Sequence, residues 1–227
     1  MSIIQKFLRL GVLKTLWVNF YVLPLRQAFR LPIILDRKVR IGACKRGCIK
    51  IPDGGKFHVG FSGLAASCYK ESLLYIKGEL ILKGTGYHTF APGLIMRIAE
   101  GGTLEIGNNF SCHRDNTFIV NKSVVVGDNN MWSFEILVMD TDAHIIRDST
   151  GSMINPNKEV YLGNNVWVGS RNTILKGSVV PDGCVLGSGG IVTKELTVPS
   201  SVYCGNELIR EGVIWERTLN RETTGVV

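Results

Sequence analysis

The chain has 227 residues, 45% of them apolar, enough to bury a core and too many for global disorder. The net charge of +7 is uneven: residues 1–50 hold 11 Lys/Arg against one acid, Asp36, while the remainder holds 15 Lys/Arg against 18 Asp/Glu. The larger part is slightly acidic, which argues against a nucleic-acid partner for the whole chain.

Residues 2–21 predict helix. Ile3, Ile4, Phe7, Leu8 and Leu10 share one face opposite Gln5, Lys6 and Arg9. After Gly11 the apolar face moves to Leu13, Leu16, Trp17 and Phe20. Pro24 and Pro32 then punctuate the chain, with a short helix expected between them. This basic segment, residues 1–37, has two readings: packing on the domain or in an oligomer contact, or contact with an anionic membrane surface. No small-residue cleavage site follows it, and no run of about 18 uncharged apolar residues occurs. Six cysteines, at 44, 48, 68, 112, 184 and 204, form no C-x-x-C pair and read as free thiols. The expected location is cytoplasmic, with peripheral contact at the inner face of the membrane as an extension of that reading.

From about residue 38 the texture changes to short apolar strings closed by Gly, Asn, Asp and Lys, as in Leu73–Gly78 and Leu80–Gly84. Stepping by six from Leu162 gives Val168, Ile174, Val180, Leu186, Val192 and Val198. All seven are aliphatic, which chance gives on the order of once in several thousand frames. A six-residue period fits neither an α-helix nor a long alternating strand. It suits a solenoid with short flat faces, one inward aliphatic residue per face, and glycine or another small residue at the bends. Ser178, Cys184 and Gly190 occupy such bends. The strings Ile106–Asn109, Val126–Asn130 and Leu162–Asn165 repeat a hydrophobic-Gly-Asx-Asn motif. The last two lie 36 residues apart, a spacing that reads as six hexads. Residues 140–159 break the period and predict a loop thrust out of a solenoid domain spanning 38–207, where function tends to lie. Residues 208–227 predict a C-terminal helix, over 208–218, and a tail.

These motifs resemble those of the hexapeptide-repeat acyltransferases, in particular galactoside and maltose acetyltransferases and the sugar O-acetyltransferases of capsule and exopolysaccharide synthesis. The resemblance is carried by Val126–Asn130, Asp140–His144, Val160–Gly169, Leu186–Lys194, Gly205-Asn206 and Ile209-Arg210. It covers roughly residues 104–215. It implies an all-β fold, a left-handed parallel β-helix solenoid with an N-terminal helical segment and a short C-terminal helix. It also implies a homotrimer, with acetyl-CoA as co-substrate in a groove between neighbouring subunits.

The resemblance makes His144 the catalytic base. A neutral imidazole suits removal of a proton from an attacking hydroxyl, and its protonated form can return that proton to the leaving thiolate. Asp140, Asp142 or a backbone carbonyl could orient the ring, with Asp142 preferred. His113 stands where galactoside-type enzymes carry an acceptor-contacting asparagine, with Asp115 and Asn116 beside it as further acceptor candidates. Trp167, Ser170, Ser188, Thr193, Lys194 and Arg210 match family positions near CoA, where Lys194 and Arg210 would meet phosphates.

The expected reaction is acetyl transfer from acetyl-CoA to a hydroxyl of a sugar or polysaccharide unit. Transfer to the amino group of a nucleotide-linked sugar is the alternative, since an amine acceptor needs the same base. A metal-dependent β-helix enzyme needs three converging histidines, usually with an H-x4-H pair, which this sequence lacks, so no metal is expected. A non-catalytic binding solenoid would have no need of the loop histidine together with Thr193-Lys194.

Overall fold

The computed structural model describes residues 10–61 and 70–217. Cys68 and most of the helix expected over 2–10 lie outside them. Three sheets of nine, seven and six strands, parallel except for the last strand of the first, account for most of the rest. Successive strands enter the first, second and third sheet in turn, as β1 (Ile33–Leu35), β2 (Val39–Cys44) and β3 (Ile49–Lys50) do. This is a three-sided parallel solenoid, consistent with the left-handed β-helix expected.

The six-residue step is the face-to-face step of this solenoid. Leu162, Val168 and Ile174 point inward from β15 (Val160–Leu162), β16 (Trp167–Val168) and β17 (Thr173–Ile174). Directly above them in register stand Val180, Leu186 and Val192, on β18 (Val179–Val180), β19 (Val185–Leu186) and β20 (Ile191–Val192). All six are fully buried, and Val198 packs against the same core. Each such aliphatic side chain contributes about 1.5–3 kcal/mol by leaving water. Ser178, Cys184 and Gly190 are buried at bends, as expected of small residues there.

The 36-residue spacing of the repeated motif has a different origin from the one expected. Val126, at the end of β12 (Ser123–Val126), pairs directly with Leu162. The interval is therefore one coil carrying the 140–159 loop. Glycine also serves a different purpose here. The positive φ of the turn falls on Asn109, Asn129 and Asn165, at 57°, 57° and 53°. Gly127 is needed for close approach, because a Cβ there would sit 2.7 Å from the carbonyl oxygen of Gly163 in the next coil. The turns are tied by Asx side chains: Asn108 N–H donates to Asp128 Oδ1 at 2.7 Å, and Asp128 N–H to Asn164 Oδ1 at 2.8 Å.

The two ends are closed differently. At the start, α1 (Val12–Val22) and α2 (Leu25–Ala28) realise the expected helix and short helix. Asn19 and Thr15 face inward and bond the free edge of β1. Asn19 Nδ2 donates to Ile33 O at 2.7 Å, and Leu35 N–H donates to Thr15 Oγ1 at 3.1 Å. The solenoid thus begins at Ile33, slightly before residue 38. At the other end the expected C-terminal helix is corrected: Glu207–Arg210 form a strand, β22, antiparallel to β21 (Val202–Cys204). The open edge of β21 offers unmet backbone groups, and Gly212 at φ 67° then turns the chain. The tail runs back along the third-to-first edge, where the Arg217 guanidinium donates to Asn109 O and Asn130 O, each at 2.6 Å.

Candidate active site

The 140–159 loop leaves the prism between β14 (Leu137–Met139), in the second sheet, and β15, in the third. Its neck is closed by Lys158 N–H donating to Asp140 O at 3.1 Å. Asp140 itself is fully buried and accepts the amides of Asn121, Lys122 and Ser123, each at 2.7 Å. Three amide donors occupy its carboxylate, so Asp140 fastens the neck and is not the partner of the histidine ring.

Asp142 is exposed, and its carboxylate meets a cation from the coil above. Lys176 Nζ donates to Asp142 Oδ2 at 2.5 Å and to the carbonyls of Asn155 and Pro156 at 3.2 and 3.3 Å. Asn155 Nδ2 adds a bond to the same Oδ2 at 2.9 Å. The Lys176 ammonium, with Asn155 second, holds the Asp142 carboxyl below the usual carboxylate range. Asn155 also pins the histidine's backbone: its Nδ2 donates to His144 O at 2.8 Å, and Ile146 N–H donates to its Oδ1 at 2.7 Å. His144 N–H closes onto Asp142 O at 2.7 Å across Ala143, whose φ of 64° places a residue with a side chain in a sparsely populated region.

The backbone of His144 is therefore held at both its N–H and its carbonyl, while its ring is exposed and takes no hydrogen bond from a described residue. The expected pairing of Asp142 with the ring is corrected: Asp142 meets His144 through the backbone turn, and its carboxylate is directed to Lys176 and Asn155. The ring borders a shallow cavity of about 190 Å³ shared with Thr141, Asp142, Ile145, Met153 and Asn155. Lys176 and Asn155 were not singled out in the sequence. Register is the signal that finds the lysine: with Ile174 above Val138, Lys176 falls at the loop's neck.

His113 lies on another edge. It sits between β10 (Ser111–Cys112), in the first sheet, and β11 (Thr117–Val120), in the second. Its ring stacks on Phe134 with centroids 4.9 Å apart and planes at 29°. Burial lowers its pKa, which favours the neutral imidazole. Asp115, in positive φ at 63°, is paired with Lys70 at 3.1 Å. Asn116 is buried, and its amide donates to His113 O and Ser133 O and accepts from Ile136 N–H. Asn172 repeats the two donor bonds on this edge, to Gly169 O and Gly187 O. Asn116 is thus a coil-to-coil fastener with no group left for an acceptor, a correction to its expected role. His88 is likewise internal, fully buried against Lys56 O and Gly107 O.

The residues expected near CoA divide between the same edges. Thr193 and Lys194 stand on the second-to-third edge, above Lys176 and the His144 loop. The Thr193 hydroxyl accepts from Asn206 Nδ2 at 2.7 Å, and Lys194 is exposed. Ser170 and Ser188 stand on the first-to-second edge with His113 and are linked through Gly189 N–H to Ser170 O at 2.8 Å. Trp167 projects from the first sheet and is partly covered by Trp215 of the tail, with ring centroids 6.1 Å apart. Arg210 is exposed on β22 at the far end. One chain therefore brings His144, Asp142, Lys176, Thr193 and Lys194 to one edge and His113, Ser170 and Ser188 to another.

Among the described residues, no group of three or more His, Cys, Asp or Glu side chains could hold a metal, and no helix is long and apolar enough to cross a membrane. The described cysteines, 44, 48, 112, 184 and 204, are free.

No protein-family model matches the chain. It is 31% identical over 119 residues to the galactoside O-acetyltransferase of Escherichia coli K12, an alignment covering 49% of this chain and 55% of that protein. It is 36% identical over 100 residues to the polysialic acid O-acetyltransferase of Escherichia coli O1:K1 / APEC, covering 42% and 32%. The chain thus spans about half the length of the first of these relatives and about a third of the second. Among solved structures, a maltose O-acetyltransferase from Clostridium difficile 630 superposes with a TM-score of 0.46 at 23% identity, covering 63% of this chain and 70% of that one. Over close to half its length the chain is a sequence relative of the sugar O-acetyltransferases, as its motifs implied.

Proposed function

We propose that the chain transfers an acetyl group from acetyl-CoA to a hydroxyl of a sugar or polysaccharide unit, with His144 as the general base. The observation that carries this reading is the state of His144: a held backbone, and an exposed ring without a partner among the described residues, on a loop that leaves the solenoid. A histidine kept for structure would look like His88, fully buried with its ring Nε2 2.9 Å from Gly107 O. The names of the two sequence relatives supply the reaction class and the kind of acceptor.

The imidazole takes the acceptor's hydroxyl proton as the oxygen attacks the thioester carbonyl. The tetrahedral intermediate collapses, the C–S bond breaks, and the proton passes to the departing thiolate. Asn155 and Lys176 hold the loop so that the ring need not reorganise during the step. Thr193 and Lys194, on the same edge, suit the donor, the lysine as a cation toward its phosphates. His113 stands on a different edge of the same chain, so a site using both histidines takes them from two copies. That division supports a homotrimer with sites between neighbours.

The test is direct. Purified protein is incubated with acetyl-CoA and a panel of sugars, nucleotide sugars and oligosaccharides, and free CoA thiol and acceptor mass are followed. A gain of one acetyl group on a hydroxyl, abolished in His144→Ala, is expected. Acetylation of amino sugars alone would replace the acceptor, and full activity in His144→Ala would remove the mechanism.

A further inference from the structure

The helix that caps the solenoid is turned inside out. Its inward face carries Thr15 and Asn19, buried and bonded to β1, together with Val18 and Val22. Its outward face carries Leu13, Leu16, Trp17 and Phe20, which are 82, 39, 48 and 38% exposed. At 100° per residue these four fall within one narrow stripe, opposite the buried one. Leu25 and Phe29 extend the patch at 65 and 74% exposure, and Phe29 meets Phe20 edge to face at 5.2 Å. Terminal caps of solenoids need a polar outer face to stay in water, and a patch of six large apolar side chains marks a surface that something covers.

The surrounding charge identifies what covers it. Residues 1–50 carry +10. Arg26 and Arg30, beside Leu25 and Phe29, have side chains 80 and 55% exposed, and Asp53 is the acid within reach of both. Arg46 lies over the Tyr21 ring, which stacks on Trp17. A second copy meeting this face through the same patch would bring two strongly basic segments together. An anionic bilayer complements them, attracting each cation near its surface while accepting the aromatic and aliphatic stripe at headgroup depth. Beside the patch, an open groove of about 530 Å³ adds apolar wall from Val22, Pro24, Ile49, Ile51 and Leu82.

We infer that the outward face of α1, with Leu25 and Phe29, docks the protein on an anionic phospholipid bilayer, resting the start of the solenoid on the membrane surface. This goes beyond the proposed acetyl transfer and does not depend on it.

Full-length protein is co-sedimented with phosphatidylcholine vesicles and with vesicles containing about 30% phosphatidylglycerol, and its oligomeric state is measured by analytical ultracentrifugation. Binding to the anionic vesicles that weakens with salt is expected, with little binding to the neutral ones. Trp17→Ser/Phe20→Ser, which alters exposed side chains, should abolish it with the circular dichroism spectrum and oligomeric state unchanged. Arg26→Glu/Arg30→Glu should lower partitioning by more than about tenfold. Absence of binding to anionic vesicles by folded wild-type protein, or equal binding by the Trp17/Phe20 variant, overturns the inference. So does a change of oligomeric state in that variant, because the face would then be a contact between copies.

Discussion

The two edges that carry His113 and His144 differ in how each coil turns its corner. At the first-to-second edge the turn is tight: Asn116 fastens adjacent coils, and His113 is stacked on Phe134. At the second-to-third edge the coil opens into a 20-residue excursion, and His144 stands at its start with an unbonded ring. Burial favours the neutral form of the first imidazole, and stacking on Phe134 holds the ring in place, suited to contact. The second is exposed and backbone-anchored, suited to proton movement. One chain thus carries two chemically different histidines on separate edges.

The largest expected effect comes from the exposed histidine. His144→Ala should lower kcat on the order of a thousandfold with the melting temperature unchanged, measured as CoA release. The next concerns the lysine that holds the loop. Lys176→Met should lower kcat roughly 10–100-fold through misplacement of His144, with the KM for acetyl-CoA little altered, and Lys176→Arg should recover part of the loss. A fall in thermal stability alone would make Lys176 merely structural. On the other edge, His113→Phe keeps the stack and removes the ring nitrogens. It should raise the KM for acceptor about tenfold and leave the KM for acetyl-CoA in place; an unchanged acceptor KM would break the division between edges.

The smallest effect is on stability. Burial depresses the pKa of His88 and of His113 in the folded state, so the unfolded chain binds protons first as pH falls. Their contribution is complete above an unfolded pKa of about 6.5 and shrinks as pH drops from there toward the lower folded values. Thermal melts between pH 8 and 5.5 should show the decline, and His88→Gln should flatten it. An identical slope in that variant would assign the proton uptake elsewhere.

The comparison also shows what could be read in the amino-acid sequence. Leu162 to Val198 gave up the fold because consecutive coils there are 18 residues long and every face is filled by one aliphatic residue. The earlier coils hide the same architecture. Cys112 to Trp132 spans 20 residues and Phe90 to Cys112 spans 22, and the interior is filled by Phe57, Phe90, Phe110, Phe118 and Trp132 packed ring to ring. Wider coils need larger fillers and lose the strict step. Glu207–Arg210 were misread because four residues with an apolar pair fit a helix as well as an edge strand, and only the open edge of β21 decides between them. Asp140 and Asp142 look alike in sequence. Their roles separate through Asn121–Ser123 and Lys176, partners 17 to 34 residues away.

The closed neck of the 140–159 loop has a consequence for how such a protein can change. The ladder continues from Val124–Val126 to Val160–Leu162 as though nothing intervened, and Asp140 and Lys158 meet across the gap. A segment joined to its scaffold at one narrow point can be exchanged without re-registering a single coil. Lengthening it costs little, since closure entropy grows only with the logarithm of length, about 0.6 kcal/mol per doubling. The loop therefore behaves as a replaceable cassette: grafting in a foreign loop that keeps Asp140, His144 and the Lys176 contact offers a route to new acceptors on an unaltered frame.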